Sequence, residues 1–205
     1  MTQVTQNQPQ GGTQGNEMAT LSIHSGLSTL VNHYGEGDNP HHAHITPIYQ
    51  TSTFGFPDVA TAGRVFSGQE PGYIYTRADN PNADQLGAKI AMLEGLDLLR
   101  QQPESPPREV LTGKVLASGM AAISAAIMGR ARSGDTIISQ TSLYSNAYRF
   151  MNELAPRLGI QVVWVDATSR SSWEAAFVAH PQAVLAYAET PANPAMEIVD
   201  LQMLA

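Results

Sequence analysis

The sequence contains no cysteine, which excludes disulfides, thiolate zinc sites and a cysteine nucleophile. Lysine is nearly as scarce: of the 11 basic residues only Lys89 and Lys114 are lysines, and the rest are arginine. Against these stand 18 acidic residues and a net charge of -7, so a nucleic-acid backbone is an unfavourable partner. Long apolar runs are also missing. No stretch approaches the roughly 18 consecutive apolar residues of a membrane helix, and the opening MTQVTQNQPQGGTQGNE has no apolar signal-peptide core. These absences predict a soluble protein of a reducing, cytoplasmic compartment with no membrane or nucleic-acid partner. What is plentiful is apolar material: 42% hydrophobic against 14% charged residues, enough to bury a sizeable core.

Composition divides the chain. Residues 1–18, rich in Gln, Asn, Thr and Gly, read as a disordered tail. Residues 19–79 are Gly-, Pro- and His-rich with little periodicity, too long for an ordinary loop, and read as an arm packing on a neighbouring subunit. Regular structure is expected from about Asn82, where Leu86, Ile90 and Leu93 recur at helical spacing and Gly95 closes a helix. The segment 97–112 reads as a polar surface loop. Beyond it, apolar runs at 115–117, 136–139, 160–165 and 183–188 alternate with helices from Met120 to about Ala131 and from Asn146 to Leu158. Ser171 and Glu174 have capping-box spacing, and Asp200 reads as the N-cap of a further helix. Near-continuous apolar strands alternating with helices predict an α/β domain, 80–205, with a mainly parallel sheet covered on both faces.

Several segments carry chemistry. At Ser118-Gly119-Met120 a strand gives way to a helix of small residues, and free amides backed by the helix dipole make an anion site. An ordinary βα turn rich in Gly and Ala has the same appearance, and neither GxxxxGK[ST] nor GxGxxG is present. Tyr75 and Arg77, two residues apart in a stretch read as extended, would face the same side and could clamp a phosphate; a surface pair before a turn is the plainer reading. Glu189-Thr190-Pro191-Ala192-Asn193-Pro194 follows the last predicted strand, where α/β sheets bind ligands. Tyr144, just past the strand 136–139, could stack on a planar cofactor or belong to the core. His41, His42 and His44 lack a carboxylate or fourth histidine at matching spacing and read as a solvated loop, so no metal site is assigned.

Together these segments resemble the Cys/Met-metabolism pyridoxal-phosphate (PLP) family: cystathionine synthases and lyases, methionine gamma-lyase and O-acetylhomoserine sulfhydrylase. Thr46 to Phe54 resembles its opening pattern, and Tyr75 to Pro81 matches Tyr-x-Arg-x-x-Asn-Pro. Ser118-Gly119-Met120 matches its phosphate turn, and Glu189 to Pro194 its Glu-Thr-Pro-x-Asn-Pro loop. The resemblance covers about residues 20–205. It departs at Thr76, where serine is usual, at Ser145, where glycine is common, and at Asn146, where one lyase subgroup has cysteine.

The resemblance implies an N-terminal arm followed by a partial PLP-binding large domain of aspartate-aminotransferase type. It implies that Ser118, Gly119 and Met120 hold the cofactor phosphate, and that Tyr75 and Arg77 reach the phosphate of a neighbouring subunit's PLP. Tyr144 would stack on the pyridine ring and act in proton transfer, Asn193 would face the cofactor oxygen and the substrate carboxylate, and Glu189 would support them. A homo-oligomer, dimer or tetramer, with shared sites follows, as does γ-replacement or γ-elimination on an amino-acid substrate. In that family the Schiff-base lysine and the pyridine-binding acid come later than the Glu-Thr-Pro loop. The expectation is therefore a chain truncated before its last strands and C-terminal domain, inactive alone. Two alternatives are a short non-catalytic protein keeping the fold for subunit association, and an unrelated α/β phosphate binder.

Overall fold

A computed structural model describes residues 21–36, 39, 41 and 43–204. The predicted tail 1–18 and His42 lie outside the described residues. Two compact units divide between Val115 and Leu116.

The first unit holds more helix than its composition suggests. Residues 19–79 contain α1 (Leu27–His33) and α2 (Val59–Phe66), so regular structure begins well before Asn82. Both were missed because a short helix needs only a turn or two of pattern. In α2 the recognisable signal is the N-cap, where Asp58 accepts the Thr61 N–H. The long helix α3 (Pro81–Glu94) starts where Asn80 caps it and Pro81 occupies the first turn. Its inward face is not the expected one: Leu86 and Ile90 are half exposed, whereas Gly87 and Met92 are buried. The reason is backbone crowding, since a Cβ on Gly87 would strike the Gly113 carbonyl. Segment 97–112 is also not a plain loop. It forms α4 (Leu96–Gln101) and α5 (Pro107–Val110), and Leu99 joins Leu30 and Met92 in a core that draws in Val110 and Leu111.

The second unit is built on a parallel three-stranded sheet of order β2-β1-β3, with β1 Thr136–Gln140, β2 Gln161–Val165 and β3 Leu185–Tyr187. β1 runs in the centre and is buried along its whole length. Ile137 packs on one face with Ile127, Leu143, Met151 and Ile160, and Ile138 on the other with Val165 and Trp173. This alternation follows from the pleat. The helix α6 (Gly119–Arg130) precedes β1, and α7 (Ser145–Arg149) continues through a π-helical turn, Phe150–Leu154, into α8 (Ala155–Arg157). Gly159, at φ 78, makes the turn into β2. On the other face lies α9 (Arg170–Ala179), and α10 (Leu201–Leu204) begins at Asp200, whose carboxylate accepts the Gln202 and Met203 amides.

Two expectations are corrected. The expected strand 115–117 pairs with nothing among the described residues, and Val115 and Leu116 stand 42% and 41% exposed. An apolar run becomes a strand only when a neighbour takes up its ladder bonds. The cap of α9 is Ser169, which accepts the Ser172 N–H, while Glu174 pairs with Arg170 instead of closing a box with Ser171.

Candidate active site

The carboxyl ends of β1 and β3 point the same way, and the segments beyond them meet. The register ends at Ser139↔Tyr187, after which backbone pairing stops. Gln140 takes over. Its side chain is fully buried; Oε1 accepts the Glu189 N–H at 3.2 Å and Nε2 donates to the Glu189 carbonyl at 3.0 Å. The same Nε2 donates to the Ser142 carbonyl. Both amide hydrogens and the amide oxygen are thus used.

Glu189 passes this constraint on. One carboxylate oxygen accepts the Tyr144 N–H at 2.8 Å, and the other accepts the Tyr187 hydroxyl at 2.9 Å. Burial, and then the hydrogen bond to Glu189, raise the Tyr187 phenol above its ordinary value. Tyr144 is half-buried at the head of α7, and its hydroxyl oxygen accepts a hydrogen bond from Asn146 Nδ2 at 2.9 Å. Gln140 and Tyr187 were not singled out from sequence. A glutamine ending a strand looks like ordinary polar edge residue, and only the β1–β3 pairing reveals its partner.

The helix α6 packs on the same sheet through Ile123 and Ile127. Its last residue, Arg130, donates from Nε to the Val184 carbonyl at the amino end of β3, and the helix touches α7. A helix anchored at the amino edge and running along the sheet brings Gly119 toward the carboxyl edge. Ser118 caps it by accepting the Ala121 N–H at 3.1 Å. The amides of Gly119 and Met120, in the first turn, cannot be satisfied within the helix. A Cβ on Gly119 would meet nothing within 4 Å, so the space above this turn is open.

The loop after β3 is closed on itself by Ala192 N–H to the Glu197 carbonyl and Val199 N–H to Thr190 Oγ1. Ala192 is buried, whereas Asn193 is exposed and its side chain has no hydrogen bond among the described residues.

Tyr75 and Arg77 lie in the first unit. Tyr75 pairs antiparallel with Thr53, but Thr76 to Ala78 form a turn, with the Ala78 and Asp79 amides on the Tyr75 carbonyl. The two side chains therefore meet through a turn, not through strand alternation: the guanidinium carbon lies 5.1 Å from the Tyr75 ring centroid. They line an open groove with Tyr49, Gln50, Thr51, Ser52 and Thr76. The motif's Asn80 and the following Asn82 explain how that groove is held. Asn80 Nδ2 donates to the Tyr49 carbonyl, and Asn82 receives the Tyr49 N–H and donates to the Pro47 carbonyl. Both lysines are engaged in this unit, Lys89 on the Asn32 carbonyl and Lys114 between Asp79 and Asp84. The hydrogen bond to Asp79 raises the Lys114 amine above its ordinary value.

Fold and site define the class: a parallel α/β sheet with an open helix N-terminus and an aromatic–carboxylate pair at its carboxyl edge. The chain belongs to the Cys/Met metabolism PLP-dependent enzyme family, which matches residues 28–205. It is 38% identical to L-methionine gamma-lyase of Porphyromonas gingivalis over 180 residues, 88% of this chain and 41% of that one. To cystathionine gamma-lyase of Bacillus subtilis it is 34% identical over 186 residues, 91% of this chain and 40% of the other. The crystal structure of cystathionine gamma synthase from Xanthomonas oryzae pv. oryzae in complex with cystathionine superimposes with a TM-score of 0.70 and 26% identity, over 88% of this chain and 41% of that one. A Campylobacter jejuni structure bearing N'-pyridoxyl-lysine-5'-monophosphate matches with a TM-score of 0.73 and 27% identity, over 86% and 39%. The chain thus spans about 41% of the length of the relatives it matches.

Proposed function

We propose that the whole protein is a PLP-dependent enzyme of sulfur amino-acid metabolism, performing γ-replacement or γ-elimination on homoserine-derived or sulfur-containing amino acids. The observation that carries this reading is the Tyr144 amide held by the Glu189 carboxylate just past the carboxyl ends of parallel β1 and β3, with α6 packed against α7 beside it. The residues fit the cofactor. Gly119 and Met120 offer unsatisfied amides to a phosphate, Ser118 holds their helix turn, and the open space over Gly119 admits an anion. Tyr144 offers its ring to a pyridine and its hydroxyl to a proton, and Asn193 offers its exposed amide to a substrate carboxylate. The cofactor, when bound, supplies the electron sink that carbanion chemistry needs.

Tyr75 and Arg77 complete the site of a neighbouring subunit in this reading, through a forked guanidinium contact to phosphate. The exposed Ile45 and Ile48 beside the groove segment support an arm, residues 19–79, that packs on a second copy. The assembly is a homo-oligomer, dimer or tetramer, in the cytoplasm, with neither nucleic acid nor membrane as partner. Among the described residues no helix is long and apolar enough to cross a membrane. The names of the relatives include lyases and an O-succinylhomoserine sulfhydrylase at 32–38% identity, which supports a reading that spans both γ-elimination and γ-replacement.

The test is turnover by the complete protein of an O-acylhomoserine, cystathionine and methionine, with PLP added and products separated into keto acid and thioether. Turnover of at least one, abolished or strongly reduced in Tyr144→Phe, is expected. Absence of turnover of all three, together with no PLP retention, overturns the reading.

A further inference from the structure

We propose that Gln140 is a positioning residue: its buried amide extends the β1–β3 pairing past the end of the ladder and, through Glu189, fixes the main chain of Tyr144. This rests on the reading of Tyr144 as a cofactor-facing residue and says how that residue is held. The last backbone pair is Ser139↔Tyr187, and beyond it the chains part toward the 141–144 turn and the 190–199 loop. Across that gap the Gln140 amide acts as a substitute peptide group, giving and taking one bond with the same residue, Glu189. Its second N–H secures the Ser142 carbonyl, so both sides of the gap are tied to one side chain.

Glu189 is thereby fixed by its main chain, and its carboxylate grips the Tyr144 amide, which no helix or strand satisfies. Tyr187 supports the other carboxylate oxygen. The order of dependence is Gln140, then Glu189, then Tyr144. Residue type is demanding at position 140: an ionised glutamate of equal length cannot donate, and a methionine of similar length cannot donate and accepts only weakly.

Amide hydrogen exchange on the 205-residue chain without cofactor tests this, so its outcome is independent of whether Tyr144 contacts PLP. In the wild type the Tyr144 and Glu189 amides should exchange slowly. In Gln140→Met both should speed up by at least about tenfold while the Val163 amide in β2 keeps its rate. In Glu189→Ala the Tyr144 amide should be released, but the amide at position 189 should stay slow because Gln140 still holds that main chain. A fast Tyr144 amide in the wild type overturns the proposal without any substitution. An unchanged Tyr144 rate in Gln140→Met, or loss of protection at position 189 in Glu189→Ala, overturns it as well.

Discussion

At the residue scale, Glu189 uses one carboxylate to hold a main-chain amide and a phenol, and the phenol reports on it. Tyr187 is raised first by burial and then by its bond to Glu189. Replacing Glu189 with glutamine removes the charge but keeps the burial. An ultraviolet titration of Glu189→Gln should therefore show one phenol ionising at lower pH than in the wild type, still above the ordinary tyrosine value of 10.0. Coincident titration curves for the two proteins would sink the assignment of Glu189 as an ionised partner. The sign for stability follows: the raised phenol contributes stability in full below its unfolded value, and that contribution is lost as pH rises through the folded value. Lys114 behaves in the same sense toward its carboxylates. A protonated amine is a poor nucleophile toward an aldehyde, and Lys89 is occupied by the Asn32 carbonyl. Borohydride reduction of the 205-residue chain with stoichiometric PLP should consequently label neither Lys89 nor Lys114 in high yield; stoichiometric label on either lysine, mapped by mass spectrometry, contradicts this.

At the element scale, side-chain caps define where helices begin. Ser118 on the Ala121 amide starts the helix whose first turn we propose as the phosphate site. Ser118→Ala should cost about 1 kcal/mol of stability, read by urea unfolding, and should weaken phosphate or PLP binding more than Ser118→Thr, which keeps a hydroxyl. Asp58 caps α2, and the Thr61 amide, followed by the Thr61 hydroxyl, holds its carboxyl below the usual 3.8. That capping contribution is present above the unfolded value and is lost as pH falls through the folded one. Helical content followed by circular dichroism should decline below pH 3.8 less steeply in Asp58→Asn, whose amide oxygen caps without titrating. The mislocated cap of α9 has a related cause. Ser171 and Glu174 satisfy a spacing rule, yet Ser169 wins because it accepts the Ser172 amide while Ser172 Oγ in turn receives the Asp166 amide. Spacing identifies a candidate cap, and the approach of the preceding loop selects one.

At the scale of the whole molecule, each unit has its own core, and both tryptophans, Trp164 and Trp173, lie in the second. Ile138 packs against Trp173 in a fully buried strand. Ile138→Ala should destabilise that unit by about 2–5 kcal/mol, seen as an earlier tryptophan-fluorescence transition in denaturant; a shift of under 1 kcal/mol would show that the site can collapse around the loss.

The parallel α/β class was legible in the sequence because apolar runs at 136–139, 160–165 and 183–188 alternate with capped helices, and the central strand β1 is buried along its whole length. The family motifs were legible for a local reason: Tyr75 to Pro81 and Glu189 to Pro194 are contiguous, so their residue types and order survive in one dimension. Tertiary structure alone decided the rest. Val115 and Leu116 carry a strand's composition but find no ladder partner, since pairing is a property of two segments. Leu86 and Leu99 exchange their expected places because backbone contact at Gly87 and the arrival of Leu30 and Met92, not periodicity, choose the buried face. Gln140 becomes a peptide surrogate only when β1 and β3 align and bring Glu189 to it across the sheet. Local patterning set the three paired strands and the contiguous motifs; long-range pairing set which polar side chains were buried, and with them how Tyr144 is held.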